Sequence, residues 1–477
     1  MSWNSIIDNA RIAAGGITDF ASGITEPTVR LGVTGLSRSG KTVFITALVH
    51  ALLKQARLPV FEAQTQGRIR RVYLEPQPND DLPRFAYEQN FAKLTGENRL
   101  WPDSTRQISQ LRLTLDYVPE SFMARNFGSG RLHVDIIDYP GEWLLDLPLL
   151  NQTYQQWSAS TLSASEKGPR ATLAKEWHAH LATLSANANT DELSAMKSAA
   201  LFSAYLKSCR SQTTALSSLP PGRFLMPGEL EGSPLLAFAP LAVTPDQEFA
   251  SGSLGALMQR RYNSYVAHLV KPFFFGHFAR LNRQIVLVDV MSALNAGEAA
   301  VNDLRAALAD VMSAFRLGAN NLATNIFGRR IDKVLFAATK ADLLNHKDHD
   351  RLEAILRLLV QEASSKAEFS GASVDALALS AIRATREATV TQKSQEFSCI
   401  AGIPEFGEII ANQTFDGEKE AAIFPGDLPH DPQSALKGIA ADALHFVKFR
   451  PPHLTGETFP HIRLDRAIEF LIGDSLP

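Results

Sequence analysis

The sequence predicts an α/β fold, in which a mostly parallel sheet is covered by helices on both faces and interrupted by a large helical insertion. Two observations support this. Short apolar runs alternate with amphipathic helical patterns before residue 143 and again after residue 282, as in chains that form parallel sheets. Between these two parts helical spacing dominates, at residues 171–184, 191–206 and 254–270, with Gly/Pro-rich breaks between the second and third segments.

The individual elements follow from local pattern. Residues 29–33 form a short apolar run, and residues 110–117 alternate apolar and polar side chains as a half-exposed strand does. The short connection from residues 110–117 to the apolar segment 132–137 predicts antiparallel pairing. Residues 54–104 look polar and irregular, with a candidate strand at 67–75. Further strands are predicted at 284–290, 333–338 and 375–379, and helices at 43–53, 301–315, 349–363 and 462–472.

We expect six regions along the chain. They are an N-terminal amphipathic segment (1–27), the first part of the α/β core (28–142), the mainly helical insertion (143–282), the second part of the core (283–390), a loop-and-strand excursion (391–460) and a C-terminal helix of the core (461–477).

The composition argues against a disordered chain and against a nucleic-acid-binding protein. Hydrophobic residues make up 45% of the chain and charged residues 20%, as in ordinary globular proteins. A net charge of −3 indicates no nucleic-acid partner. Cys209 and Cys399 lie far apart without metal-ligand spacing, which favours buried thiols in a reducing compartment.

The sequence indicates a cytoplasmic protein. It contains no uninterrupted apolar run of membrane-spanning length, and its N-terminus lacks the pattern of a signal peptide. Residues 1–27 carry an apolar stripe at helical spacing, but Asp8, Arg11 and Asp19 give no cationic polar face. Packing of this segment against the body is therefore favoured over membrane contact, which the sequence leaves open without supporting it.

Residues 35–42 read GLSRSGKT and match the phosphate-loop pattern G-x-x-x-x-G-K-[ST] at every fixed position. The glycines let backbone N–H groups face phosphate oxygens, and the following helix adds its positive dipole end. Lys41 would reach the β- and γ-phosphates, and the Thr42 hydroxyl would ligate Mg²⁺. The predicted nucleotide contacts in this segment are Gly35, Ser37, Arg38, Ser39, Gly40, Lys41, Thr42 and Val43.

A D-x-x-G segment follows the predicted strand at 132–137. Asp138 at the strand end can hold Mg²⁺ through water, and the Gly141 amide can bond the γ-phosphate and respond to its loss. The short pattern is weakly specific alone, but its place after a strand and downstream of the phosphate loop makes it informative.

A T-K-A-D segment follows the strand at 333–338 and predicts guanine recognition. The Asp342 carboxylate can accept both N1–H and the N2 amino group of guanine, a donor pair that adenine lacks. The alkyl stem of Lys340 can cover the base plane. Thr339 stands where Asn is commoner, so we expect weaker affinity. Ser380, Ala381 and Ile382 end the next strand, where backbone N–H can face guanine O6.

The order of these four segments is that of the Ras-like GTPases. The segments 138–144 (DYPGEWL), 101–105 (WPDST) and 224–228 (FLMPG) further resemble the bacterial YcjX-like family of P-loop GTPases, and this resemblance covers nearly the whole chain. It implies a Ras-like P-loop NTPase core with helical additions in the manner of Gα. It also implies a GTP-binding, stress-linked cytoplasmic protein.

Such GTPases use a Thr before the second core strand to ligate Mg²⁺ in the triphosphate state. Thr105 is the predicted residue, with Ser104 as the alternative. Glu142 follows Gly141 where many Ras-like enzymes have Gln. Its carboxylate is poorly suited to a site beside a γ-phosphate unless it is protonated, turned away or paired. We therefore expect slow hydrolysis, with Glu142 a candidate to position water.

A cationic side chain would stabilise the transition state of hydrolysis. The arginine candidates within the chain are Arg38, Arg99 and Arg106. The resulting hypothesis is a Mg²⁺-dependent switch that cycles between GTP and GDP and binds an unidentified protein through its switch segments or helical insertion. An ATP-using P-loop enzyme and a nucleotide-stabilised scaffold with negligible turnover stay open as alternatives.

Overall fold

The structure is a computed structural model. It describes residues 26–35, 39–105, 107–120, 130–211, 215–314, 331–369, 371–392, 395–410, 413–437, 439 and 444–477. The expectations for residues 1–25, for Ser37 and Arg38 in the phosphate loop, and for Arg106 lie outside these ranges.

A seven-stranded sheet forms the centre of the molecule. In chain order its strands are β1 (Thr28–Gly35), β2 (Ile69–Glu75), β3 (Ser109–Tyr117), β4 (Gly130–Asp138), β5 (Arg283–Val288), β6 (Lys333–Ala338) and β7 (Ser373–Ala378). Their order across the sheet is β2-β3-β4-β1-β5-β6-β7. Strands β4, β1, β5, β6 and β7 are parallel, while β3 pairs antiparallel with both β2 and β4. The mostly parallel sheet and the antiparallel β3–β4 pair confirm the sequence prediction.

The carboxyl ends of the parallel strands meet along one edge of the sheet. Val33 pairs with Asp138 across β1 and β4, and Val288 pairs with Ala338 across β5 and β6. Strand β1 lies at the switch point, because the chain adds strands on one side of it first and on the other side later. Ligands of open α/β sheets bind in the crevice outside this point.

Helices cover both faces of the sheet and build the insertion. They are α1 (Lys41–Leu53), α2 (Glu62–Thr65), α3 (Tyr87–Thr95), α4 (Tyr154–Ser165), α5 (Gly168–Leu173), α6 (Lys175–Leu181), α7 (Glu192–Cys209), α8 (Leu254–Tyr265), α9 (Lys271–Gly276), α10 (Val290–Ala296), α11 (Glu298–Ala314), α12 (His349–Phe369), α13 (Pro432–Ala435) and α14 (Leu464–Ile472). None of the helices in the described residues is long and apolar enough to cross a membrane.

The helical region between β4 and β5 has its own core of aromatic side chains. Trp157 stacks against Tyr262 with ring centroids 5.3 Å apart, and Trp177 stacks against Tyr205 at 5.1 Å. A 3₁₀ helix, Gly141–Asn151, leads from the end of β4 into this region. The insertion therefore begins directly at the D-x-x-G segment.

Two parts of the fold differ from the expectation. Helix α3 lies where residues 54–104 looked irregular, and it packs Phe91 against the imidazole of His50 on α1, with ring centroids 4.3 Å apart. The excursion is a three-stranded antiparallel sheet of β8 (Arg386–Gln392), β9 (Gln395–Gly402) and β12 (Ala421–Ile423), so it starts before residue 391. The short strands β10 (Ile409–Ile410) and β11 (Gln413–Thr414) pair beside it.

Candidate functional site

The phosphate loop connects the carboxyl end of β1 to the first turn of α1. Gly40 has a φ of 79°, a left-handed conformation that glycine adopts without strain, and α1 begins at the next residue. A Cβ at Gly35 would lie 2.1 Å from the Ser39 Oγ, so glycine is needed there. Within the described residues the buried Ser39 hydroxyl has no hydrogen-bond partner, and the first N–H groups of α1 have none inside the helix. These groups suit an anionic ligand.

Four predicted side chains meet beside this loop. The Lys41 ammonium donates to Asp138 Oδ1 at 2.7 Å, and the Thr105 hydroxyl donates to Asp138 Oδ2 at 2.8 Å. The Thr42 hydroxyl lies 3.2 Å from the Thr105 hydroxyl and donates to the Asp103 carbonyl. The structure thus joins segments that are up to 97 residues apart in sequence. It places Thr105, not its exposed neighbour Ser104, against the loop.

The donor set at this end is chemically suited to Mg²⁺. Thr42, Thr105 and Asp138 present oxygen atoms, which this cation prefers, and it is usually held by one or two carboxylates together with substrate phosphates. The described residues contain no group of three or more His, Cys, Asp or Glu side chains that could hold a metal by themselves.

Gly141 and Glu142 begin the 3₁₀ helix that follows Asp138. Glu142 is only 5% exposed, and its Oε1 accepts a hydrogen bond from Arg210 Nη2 at 2.6 Å. A carboxylate beside a γ-phosphate would have to be protonated, turned away or paired, and the structure shows that Glu142 is paired. Sequence reasoning missed Arg210, which follows the last residue of α7, because no local pattern links residues 68 positions apart.

The second end of the site is built around Asp342, at the carboxyl ends of β6 and β7. Its Oδ1 accepts from the Ser380 hydroxyl at 2.8 Å, and its Oδ2 accepts from the Ala384 backbone N–H at 2.9 Å. Burial raises the pKa of Asp342, while the bonds from Ala384 and Ser380 lower it. The structure thus brings the T-K-A-D and S-A-I segments together as predicted.

The neighbours of Asp342 are fixed by backbone contacts and one ion pair. Thr339 donates its backbone N–H to the Val288 carbonyl at 3.0 Å, and Lys340 has a φ of 63°. The Lys340 ammonium lies 2.5 Å from Asp289 Oδ2. Sequence reasoning overlooked Asp289, because the strand was predicted to run to residue 290, whereas β5 ends at Val288.

The remaining predicted residues are placed as follows. Ser380 forms a bridge with Ile462, Ile382 is buried and Ala381 is partly buried, so this loop is held between β7 and the C-terminal segment. Val43 lies in the first turn of α1. Arg99, one of the three arginine candidates, is buried and donates to the Pro451 carbonyl at 2.8 Å.

A phosphate loop at the switch point of a mostly parallel sheet, with these motifs at the same edge, defines a P-loop protein with a Ras-like core. The chain belongs to the YcjX-like family (DUF463), whose model matches residues 29–476. It is 38% identical over 465 residues to the Ras-like GTPase YcjX of Escherichia coli (strain K12), covering 94% of this chain and 96% of that protein. It is 34% identical over 472 residues to the Ras-like GTPase YcjX of Shewanella oneidensis, covering 94% of each.

Proposed function

We propose that this protein binds GTP and GDP with Mg²⁺ and hydrolyses GTP slowly. The observation that carries the proposal is the convergence of Lys41, Thr42, Thr105 and Asp138 at one end of the site, with Asp342 and Ser380 at the other. The name of the two relatives, Ras-like GTPase, supports the same activity.

At the phosphate end, Lys41 and the amides of Gly35–Val43 neutralise the phosphate oxygens. Thr42, Thr105 and Asp138 would hold Mg²⁺, and the cation would supply charge that stabilises the transferred phosphoryl group. Lys41 and Thr105 both bond Asp138, so these three groups would have to rearrange their contacts to hold the cation. The Gly141 amide bonds the γ-phosphate and connects its presence to the insertion.

At the base end, the Asp342 carboxylate accepts N1–H and the N2 amino group of guanine. Its two oxygens each accept one protein hydrogen bond, and each retains a lone pair for the base. Ser380 and the Ala384 amide hold the carboxylate in place, and the Lys340 stem covers the base.

Hydrolysis is slow in this proposal because Glu142 is paired with Arg210 and is poorly placed to orient water. The experiment is a single-turnover assay of phosphate release from GTP and from ATP, with the Lys41→Ala variant as blank. Release from GTP alone supports the proposal. Faster release from ATP supports the ATP-using alternative, and no release despite GTP binding supports the scaffold.

A switch function also requires a protein partner that recognises the GTP-bound state. We propose that GTP orders the segment around Thr105 and the start of the 3₁₀ helix, and that a protein recognises this surface or the insertion. A pull-down that compares a GTP-analogue complex with the GDP complex tests it. The stress link implied by the resemblance belongs to the same proposal, and comparing the growth of cells with and without the gene after heat shock tests it.

A further inference from the structure

We infer that Arg210 of the helical insertion is a positioning residue that makes the site tolerant of a γ-phosphate by neutralising Glu142. This inference rests on the proposed binding of GTP and GDP. It assigns to the insertion a direct role in distinguishing a nucleoside triphosphate from a nucleoside diphosphate.

Glu142 is shielded from solvent beside the phosphate end. The residue is only 5% exposed, so bulk water and salt screen its carboxylate weakly. Glu142 is adjacent to Gly141, whose amide is the proposed γ-phosphate contact. Backbone and side-chain dimensions keep the carboxylate within ~10 Å of that amide, close enough for charges to interact. An unpaired carboxylate there would repel the γ-phosphate, whose charge GDP lacks.

Arg210 is the pairing partner of the Glu142 carboxylate. Arg210 Nη2 lies 2.6 Å from Glu142 Oε1, and both side chains are largely withdrawn from solvent. Arginine keeps its charge under all conditions in which proteins fold. It also stands at the carboxyl end of α7, where the helix dipole favours a cation. The pair is therefore a neutral unit at the edge of the phosphate end.

The insertion also packs against the backbone of the segment that carries Glu142. The Glu142 backbone packs so closely on Gly222 of the insertion that a Cβ there would lie 1.8 Å from the Glu142 carbonyl oxygen. One turn further on, buried Asp146 accepts from the Gly222 N–H at 2.7 Å and from the Tyr265 hydroxyl at 2.6 Å. Arg223 Nη1 lies 3.4 Å from Asp146 Oδ2, the oxygen that accepts from Tyr265, and its guanidinium stacks over the Trp143 ring. The insertion thus fixes the backbone that carries Glu142.

The experiment measures GTP and GDP affinities, with Mg²⁺, of the wild type and of Arg210→Ala, Arg210→Lys and Arg210→Ala/Glu142→Gln. We expect Arg210→Ala to weaken GTP about tenfold, or about 1.4 kcal/mol, with GDP changed less than about twofold. Arg210→Lys should retain most of the wild-type ratio. The double variant should restore the ratio, because no carboxylate is left to repel the phosphate. Equal weakening of both nucleotides, or no restoration, overturns the inference.

Two controls separate this role from simple stability. Arg170→Ala removes another part-buried arginine of the insertion, which pairs with Asp303 on α11 at 2.5 Å. It should lower the unfolding temperature without changing the GTP/GDP ratio, and a similar change in ratio would overturn the inference. If Arg210→Ala does not fold, Glu142→Gln alone decides: it should raise the ratio, and a fall or no change contradicts the inference.

The outcome is distinguishable from failure of the proposed function. Wild-type protein that binds neither GTP nor GDP contradicts the proposed function. Wild-type protein that binds both, with an unchanged ratio in Arg210→Ala, contradicts only the role of Arg210.

Discussion

The two ends of the candidate site are held in different ways. At the phosphate end, Lys41, Thr105 and Asp138 bond mainly to one another, and Thr105 belongs to a loop between α3 and β3. At the base end, Asp342 is held by a neighbouring hydroxyl and a backbone amide at the ends of the same sheet. The carboxylates of both ends are buried, but their partners differ in kind.

This difference predicts which part of the site changes with the ligand. We expect Lys41, Thr105 and Asp138 to exchange the bonds they make with one another when phosphates and a cation bind, so that the position of the loop carrying Thr105 depends on the ligand. We expect Asp342 to keep Ser380 and Ala384 as partners when a base binds, because each of its carboxylate oxygens can accept a second hydrogen bond. We therefore expect the phosphate end to determine affinity and switching, and the base end to determine which base is accepted.

Replacing Lys41 should have the largest effect. Lys41→Ala removes the cation that faces the phosphates and leaves Asp138 buried without its ion pair, so we expect at least ~100-fold weaker binding of GTP and GDP, about 2.7 kcal/mol. Calorimetric titration measures it. Lys333→Ala is the control, because this lysine pairs with Asp474 at the opposite edge of the sheet. Comparable losses in the two variants would contradict the assignment.

At the base end we expect a changed preference instead of a general loss. Asp342→Asn replaces an acceptor with an amide donor, which matches the C2 carbonyl of xanthine and not the amino group of guanine. Affinity should shift from GTP to XTP by about 10²-fold, or about 2.7 kcal/mol. Competition between the two nucleotides measures it.

A matched control for Asp342→Asn is Asp348→Asn. Asp348 is also buried with a raised pKa, but its partner is Arg351 at 2.6 Å. It should reduce stability without altering base preference. An unaltered preference in Asp342→Asn would show that Asp342 does not read the base.

Thr105 provides a smaller and more selective test of the phosphate end. Thr105→Ala removes the hydroxyl that bonds Asp138 and approaches Thr42, so we expect about tenfold weaker GTP binding in Mg²⁺ and little change for GDP. Thr105→Ser should restore GTP binding. Ser104→Ala is the neighbouring control, and a loss there equal to that of Thr105→Ala would favour Ser104 as the ligand.

The smallest effect concerns pH and belongs to the base end. Burial raises the pKa of Asp342 above 3.8, and only the ionised carboxylate accepts both guanine donors. The preference for GTP over ATP should therefore decline on acidification, starting at a higher pH than for an ordinary aspartate. Affinity ratios measured across acidic pH test this. In Asp342→Asn the ratio should not vary with pH, and a parallel decline there would assign the effect to another group.

The strands of the central sheet and most helices could be predicted because their patterns are local. The run Val334–Ala338 is apolar throughout, and it forms a strand buried on both faces. Helix α3 was missed because it is short and lies between proline-rich segments, and its burial depends on Phe91 meeting His50 of α1. Tyr87, Phe91 and Leu94 do stand at helical spacing, but nine residues form too short a pattern to predict a helix on their own.

The site residues also divide into those that a local motif identifies and those that depend on long-range contacts. Lys41, Asp138 and Asp342 could be identified because each follows a strand in a recognisable motif. Arg210 could not, because its role depends on the insertion returning to Glu142 after 68 residues. Asp289 was missed for two reasons: the predicted strand 284–290 ran past the end of β5, and its pairing with Lys340 depends on the neighbouring strand.

The most direct test of the account is a calorimetric titration of the wild-type protein with GTP and with ATP, each with Mg²⁺. If Asp342 reads the base as its contacts with Ser380 and Ala384 indicate, GTP binds at least ~100-fold more tightly than ATP, about 2.7 kcal/mol. Equal affinities, or tighter binding of ATP, would contradict the assignment of this site to guanine nucleotides.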